Sequence, residues 1–190
     1  MDPIKILKKY YDPGSALFQT LIIHGQAVSE KSRQVAQSVS HLKPDITFIH
    51  QAAMLHDIGI GDCSAPSIGC NGPNPYVCHG ILGREILEKE GLVRHGLVCE
   101  RHVATGITAV EIKSRSLPMP VRDMLPVTIE EKIICYADKF FSKNGSSSHE
   151  KTIYEIEAGL FPYGIEQILR FQALDRLLGE NMIREQRGIQ

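Results

Sequence analysis

The sequence predicts an all-α chain folding as one helical bundle, and three observations predict it. Apolar residues recur at steps of three, four and seven through most of the 190 residues. No segment alternates apolar and polar residues convincingly at strand length. Polar caps, glycines and prolines divide the chain into pieces of helix length. At typical helix lengths this amounts to roughly seven to nine helices. The length suits a single domain over 1–190, large enough to bury a core.

Each element follows from its own residues. The N-terminal MDPIKILKKYY alternates apolar and basic residues, and its apolar run is too short for a signal-peptide core. Residues 15–40 form a long helix: Ser15 caps it behind Gly14, and Leu17, Leu21, His24, Val28, Val35 and Val39 lie near one face. Lys43-Pro44-Asp45 breaks the chain, and Asp45 caps a short helix over 46–57. There Ile49, Ala52, Ala53 and His56 share a face, and Gly59 and Gly61 end the helix. Residues 59–75 hold four glycines and three prolines with no period, which reads as a loop of functional length.

Helices return at 76–90, at 93–104 and near 108–114, followed by the irregular LPMPVRDMLP. Thr128 caps a helix over 128–143, with Glu131 placed to close a capping box. Residues 144–150 read as a turn or loop. Residues 151–187 hold one short and one long helix, the latter striped by Ile165, Ile168, Leu169, Leu174, Leu177, Leu178 and Met182. That stripe is either core or a dimer surface. No internal repeat or low-complexity tract interrupts the pattern.

Composition narrows the function. The net charge is −1 with histidine neutral, so no strong basic field is present to hold long nucleic acid or an anionic membrane, although a local basic pocket is allowed. The longest apolar run falls far short of a membrane span. The five cysteines (Cys63, Cys70, Cys78, Cys99 and Cys135) are an odd count without a CxxC pair, as expected of reduced thiols in a cytoplasm. The spacing of Cys63, Cys70 and Cys78 matches no common zinc site.

The eight histidines carry the chemistry. His24 sits mid-helix on an apolar face, His56-Asp57 ends a second apolar helix, and His79 and His102 sit on two later helices. Asp138 lies in IICYADKFF, flanked by Ile134 and Phe141. A bundle can aim such residues at one internal point, where a buried carboxylate requires a cation. Imidazoles with a few carboxylates suit Mn, Fe, Co, Ni or Zn better than Mg or Ca. Six ligands exceed one closed zinc site and suit two ions bridged by Asp57: His24, His56 and Asp138 on the first, His79 and His102 on the second.

This ordered set of six, with HDIG at 56–59 and YADKF at 136–140, resembles the HD-domain superfamily of metal-dependent phosphohydrolases, in its HDIG subgroup. ERHVATGIT and RDMLPVTIEEKIICYADK resemble small stand-alone members, and the resemblance covers about 17–145. It implies an HD-like all-α bundle with a central metal site. It also implies hydrolysis of a small phosphate ester, a nucleotide by preference, by a metal-bound hydroxide held on Asp57. No GYP tripeptide is present to support a cyclic-di-GMP phosphodiesterase. Two alternatives use the same ligands: a di-iron oxygenase, and a nucleotide- or metal-binding module without turnover.

Cations for the substrate are sought beside the ligands: Lys139, also the second candidate catalytic residue, with Arg84 and Arg101. Asp62 and Arg122 are candidates for the rim. His41 and His149 read as surface. His95 reads either as core or as surface, and His50 either steadies a ligand or is core or surface. The expected partner is a small phosphate ester, with no long nucleic acid, no membrane and a possible homodimer.

Overall fold

The computed structural model describes residues 1–143 and 149–186, with side chains as far as Gly179. Its helices are α1 Pro3–Tyr10, α2 Ala16–Ser38, α3 Ile46–Leu55, α4 His79–Lys89, α5 Val93–Arg101, α6 Ala109–Ser114, α7 Ile129–Asp138, α8 Ile153–Leu160 and α9 Ile165–Gln186. The strands β1 Ser64–Ala65 and β2 Cys70–Asn71 pair antiparallel, with Ser64 opposite Asn71 and Ala65 opposite Cys70.

This pair corrects the expectation of an all-α, HD-like bundle: the arrangement is mixed, helix-dominated with one small sheet. Two-residue strands are too short to show an alternating pattern, so periodicity could not reveal them. The turn between them passes through Gly69 at φ +81°, a left-handed position that suits glycine. Helix α1 was also not expected. Its signal was the Asp2-Pro3 start: the Asp2 carboxylate accepts from the Ile4 amide at 3.0 Å, and Leu7 is buried.

The caps account for most helix starts. Ser15 Oγ accepts from the Phe18 amide at 3.1 Å, and the Asp45 carboxylate accepts from the Phe48 amide at 2.9 Å. Full capping boxes open α6 (Thr108, Glu111) and α8 (Thr152, Glu155). At α7 only half of the expected box forms. Thr128 accepts from the Glu131 amide, but the Glu131 carboxylate turns to the Val127 amide at 2.6 Å and to Arg101.

The helix ends fall earlier than periodicity suggests. α3 stops with His56 as its C-cap, α5 stops with His102 as its C-cap, and α7 stops at Asp138. α4 starts at His79, after a 3-10 turn over Tyr76–Cys78. The expected turn over 144–150 lies, for 144–148, outside the described residues, as does the side chain of Met182.

Helix α2 packs against α3, α7 and α9, and the main core forms around Val28, Val35, Ile49, Ile133, Ile134 and Phe171. In the C-terminal stripe Ile168, Leu174 and Leu178 are buried, whereas Ile165, Leu169 and Leu177 are exposed. A second cluster joins Leu7, Phe18, Leu21, Leu55, Ile58 and Leu87.

Helix α4 is wedged between the turn after Asp57 and helix α5. A Cβ on Gly59 would stand 2.2 Å from the Gly83 amide nitrogen and from the His79 carbonyl oxygen. One on Gly80 would stand 2.5 Å from the Cys99 carbonyl oxygen. These backbone contacts explain the glycines at 59 and 80 and set where His79 and His102 point. On the other side, α9 is fastened to the segment after His102. The Thr105 amide donates to Gln167 Oε1 at 2.8 Å, and Arg170 and Gln167 both bond Glu111 Oε1, at 2.6 and 3.0 Å.

Gly59→Ala is therefore expected to lower stability by about 2–4 kcal/mol, because backbone atoms must move. Gly159→Ala, where nothing lies within 4 Å, is expected to be neutral or stabilising by about 0.5–1 kcal/mol in its helix. Urea midpoints of the two variants compare them directly. Glu111 adds a pH-dependent term. Burial pushes its carboxyl up, but the Thr108 amide, Arg170 and the Thr108 hydroxyl outweigh this and hold it below its usual 4.5. Its contribution is thus complete above that usual value and fades as pH falls through the lowered one. Glu111→Gln should cost about 1–2 kcal/mol at pH 7. The deficit should shrink in acid; an equal deficit at pH 7 and pH 3 would show that the charge is not responsible.

Candidate metal centre

The structure brings His24, His56, Asp57, His79, His102 and Asp138 into one buried cluster, each no more than 9% exposed at the side chain. His24 comes from the middle of α2, and the other five come from helix ends or the turn after α3. His24 Nε2 lies 2.9 Å from Asp138 Oδ1 and 3.3 Å from Asp57 Oδ2. His56 Nε2 lies 3.1 Å from Asp57 Oδ2 and 3.3 Å from Asp138 Oδ1. His79 Nε2 and His102 Nε2 each lie 3.4 Å from Asp57 Oδ1 and 3.1 Å from one another.

The far side of three rings sets their chemistry. His56 Nδ1 meets the Ala53 carbonyl at 2.6 Å, His79 Nδ1 the Tyr76 carbonyl at 2.7 Å, and His102 Nδ1 the Cys99 carbonyl at 2.8 Å. A carbonyl only accepts, so each Nδ1 carries the proton and donates. A neutral ring then turns its Nε2 lone pair inward. In His79 and His102 two lone pairs face one another and a carboxylate oxygen. Acceptors facing acceptors in a dry site are unfavourable without a cation between them. Consistently, His56 Nε2 makes no aligned hydrogen bond despite lying close to two carboxylates.

Burial pushes the His79 and His24 imidazoles down, to about 3 and about 4, and lowers His102 as well. It acts against ionisation of His56 too, but Asp57 and Asp138 outweigh it and raise that ring to about 9. Burial would raise the two carboxyls. For Asp57 the His56 ring and Lys143 prevail, and for Asp138 Lys139 and Lys143 prevail, so both stay well below the usual range. Anionic oxygens with the neutral His24, His79 and His102 imidazoles, joined by His56 once an ion displaces its proton, are the donor set of a divalent transition ion. Among the described residues, ligating atoms within 4.8 Å of one another form two triads, His24–His56–Asp138 and His56–Asp57–His102. The residues thus fit one or two ions.

Lys143 escaped the sequence reading. Its Nζ lies 2.7 Å from Asp57 Oδ2, and its side chain is only 13% exposed. On an uninterrupted helix it would stand about 140° around from Asp138. The chain leaves the helix at Lys139 instead and carries Lys143 back to Asp57. A lysine shortly after a ligand on an apolar helix was the only signal available.

The other candidates are placed differently. Lys139 Nζ bonds Asp138 Oδ2 at 2.7 Å and the His102 carbonyl at 3.1 Å, so it steadies two members of the cluster. Arg84 is held by Glu88 at 2.7 Å and Glu100 at 2.6 Å, Arg101 by Glu131 at 2.9 Å, and Arg122 by Glu100. None of these three arginines lines the cavities beside the cluster, which corrects the expectation that Arg84 and Arg101 face a ligand. Arg84 comes five residues after His79 and Arg101 just before His102, but the buried Glu100 and Glu131 carboxylates claim their guanidinium groups. Asp62 is exposed, and its carbonyl accepts from Asn74. His50 is exposed and bonds Ser29 Oγ at 2.9 Å; His95 packs against the Phe48 ring; His41 and His149 are exposed. All five cysteines are free, buried and outside both triads.

Two adjoining cavities open beside the cluster, of about 480 and 510 Å³, and share Tyr76, Asp138, Lys139, Lys143, Leu160 and Tyr163. The first adds Lys151. The second runs past His79 and His102 to the apolar Val103, Ile107 and Leu117. Among the described residues no helix is long and apolar enough to cross a membrane.

No family model matches the chain, and no solved structure matches it. It is 32% identical over 123 residues to an uncharacterized protein of Methanocaldococcus jannaschii, spanning 63% of this chain and 65% of that one. It is 32% identical over 123 residues to a tRNA (cytidine(56)-2'-O)-methyltransferase of Picrophilus torridus, and 30% identical over the same length to one of Thermoplasma volcanium. Each match covers 64% of this chain but only 31% and 32% of those two proteins. The chain therefore spans just under two thirds of the first relative and about a third of the other two.

These relatives overturn the functional expectations drawn from the HD resemblance. The named ones are transferases that carry tRNA in their names, not phosphate-ester hydrolases. The family assignment, the hydrolase activity and the small phosphate ester as expected substrate are corrected accordingly. The oxygenase and turnover-free alternatives rested on the same resemblance and go with it. A set of ligands constrains which ion can bind, but not which reaction follows. The expected absence of long nucleic acid is likewise corrected: a net charge near zero is a sum that conceals where lysines gather.

The Glu100 pairing is open to test apart from the cluster. Glu100→Gln removes the charge that Arg84 and Arg122 share, with an expected cost of about 1–3 kcal/mol. Metal content should be unchanged; a loss of bound metal would show that these arginines support the cluster.

Proposed function

We propose that this chain is a metal-holding helical domain that serves tRNA modification, in the setting of ribose 2'-O-methylation. The observation that carries the metal half is the set of four imidazole Nε2 atoms that converge on the Asp57 carboxylate. The two methyltransferase-named relatives support the tRNA half. His24, His56 and Asp138 would hold one ion, and Asp57, His79 and His102 a second. Mn, Fe, Co, Ni and Zn suit these donors. Such an ion supplies a concentrated positive charge able to polarise and orient phosphate or ribose oxygens.

The chain's own residues do the remaining work. Asp57 and Asp138 bring the negative charge that makes the site selective for a cation. Lys139 fixes the Asp138 carboxylate and the His102 carbonyl. The lysines at the cavity wall favour an RNA phosphate, and Tyr76 and Tyr163 offer faces for a base. A role on tRNA accords with a cytoplasmic chain.

Protein purified without chelator should carry about one to two transition-metal ions per chain. Chelation should lower its thermal midpoint, since an ion at about 1,000 times its Kd stabilises by about 4 kcal/mol. Asp57→Ala should abolish both effects. tRNA from cells lacking the chain should show reduced ribose methylation, mapped by mass spectrometry, and restoration by the wild type but not by Asp57→Ala. Unchanged methylation would overturn the tRNA half; absence of metal would overturn the other.

A further inference from the structure

One oxygen of the cluster has too many partners. Asp57 Oδ2 lies 3.1 Å from His56 Nε2, 3.3 Å from His24 Nε2 and 2.7 Å from Lys143 Nζ. Two imidazoles and a carboxylate oxygen are donors to a cation, and the Lys143 ammonium is a cation already seated on that oxygen. The Asp138 carboxylate and the Tyr76 side chain also interact with it. The Lys143 side chain also lines the 480 Å³ cavity that holds Lys139 and Lys151. A polar space into which the ammonium can turn therefore adjoins its seat.

We propose that Lys143 is an internal competitor for the metal. Its ammonium and a metal ion are alternative occupants of Asp57 Oδ2, and an arriving ion displaces the lysine into the cavity. The inference rests on the reading of the cluster as a metal centre. Three features support it. The Lys143–Asp57 pair is buried, so an ion and an ammonium on the same oxygen would repel with little screening. The backbone at Lys143 is a bend outside any helix, so its side chain can be redirected without unwinding an element. The stem is a flexible, unbranched four-carbon chain.

Competition of this kind lowers apparent metal affinity by the fraction of molecules in which the lysine has left. It also gives the carboxylate a counter-charge in the absence of metal, so that the apoprotein folds without an unpaired buried anion. Release would add a third ammonium to the cavity wall beside Lys139 and Lys151. The site would then become more attractive to an anion only once it is loaded.

The test is metal titration of the full chain, stripped by dialysis, with Mn(II) and Zn(II) as probes, followed by calorimetry. Lys143→Met should bind about 10- to 100-fold more tightly than the wild type, as expected when the lysine-free state is a few per cent populated. Lys143→Arg, which keeps the charge, should stay near wild type. The thermal midpoint of Lys143→Met should fall without metal and match wild type with it. A midpoint lowered equally in both forms, or an unchanged affinity, would mean that Lys143 is a fixed structural partner and would overturn the inference. If neither wild type nor variant binds either ion, the metal-centre reading itself fails. A measurement on wild type alone covers the case in which the variant does not fold. Lys143 should be slow to react with an amine-modifying reagent without metal and faster with it, relative to Lys139 and Lys151. Equal reactivity in both states would contradict displacement.

Discussion

The fold is organised around a carboxylate that has no access to water. Asp57 is 3% exposed and is surrounded by four imidazoles, a second carboxylate and an ammonium. An isolated ion in such a place costs far more than a protein's marginal stability permits. The neighbourhood must therefore supply positive charge, from Lys143 and His56 in the protein itself and from a metal in the form proposed. Lys139, which ties Asp138 to the His102 carbonyl, belongs to the same economy of charge.

Delivering so many side chains to one carboxylate dictates how the helices end. α3, α5 and α7 terminate at or next to His56, His102 and Asp138, and α4 begins at His79. Helix ends free the backbone to turn each ring inward, and the carbonyls of the preceding turn are at hand to hold three of the rings through Nδ1. The glycine contacts between the Asp57 turn, α4 and α5 bring these ends together. The α9 clasp through Gln167 and Arg170 steadies the segment that leaves His102. Packing and site are thus one construction, and a change in the glycine wedge is a change in where His79 and His102 point.

Much of this was legible in the sequence, and the gaps have physical causes. Long helices announced themselves through apolar period and caps, as Ser15 and Asp45 show. The six residues of the cluster were recognisable because imidazoles and carboxylates on apolar faces need partners. The β1–β2 pair was not legible, being shorter than any pattern it could display. Helix ends were read too late at His102 and beyond Asp138, because apolar period continues past the point where the backbone turns. That error hid Lys143, whose approach to Asp57 exists only because the helix stops. The arginines were misplaced for a related reason: sequence adjacency to a ligand does not say which face a side chain takes, and Glu88, Glu100 and Glu131 claimed them. Function was the least legible. The ordered ligands suggested a hydrolase, whereas the named relatives direct attention to tRNA methylation.

The most direct test of the account is anomalous diffraction from crystals of chelator-free protein, recorded at the absorption edges of the candidate transition metals. The account predicts one or two anomalous peaks among the inward-facing Nε2 atoms of His24, His56, His79 and His102 and the oxygens of Asp57 and Asp138. No peak in that cluster from protein supplied with each candidate ion, with the Lys143 ammonium still on Asp57, would contradict it.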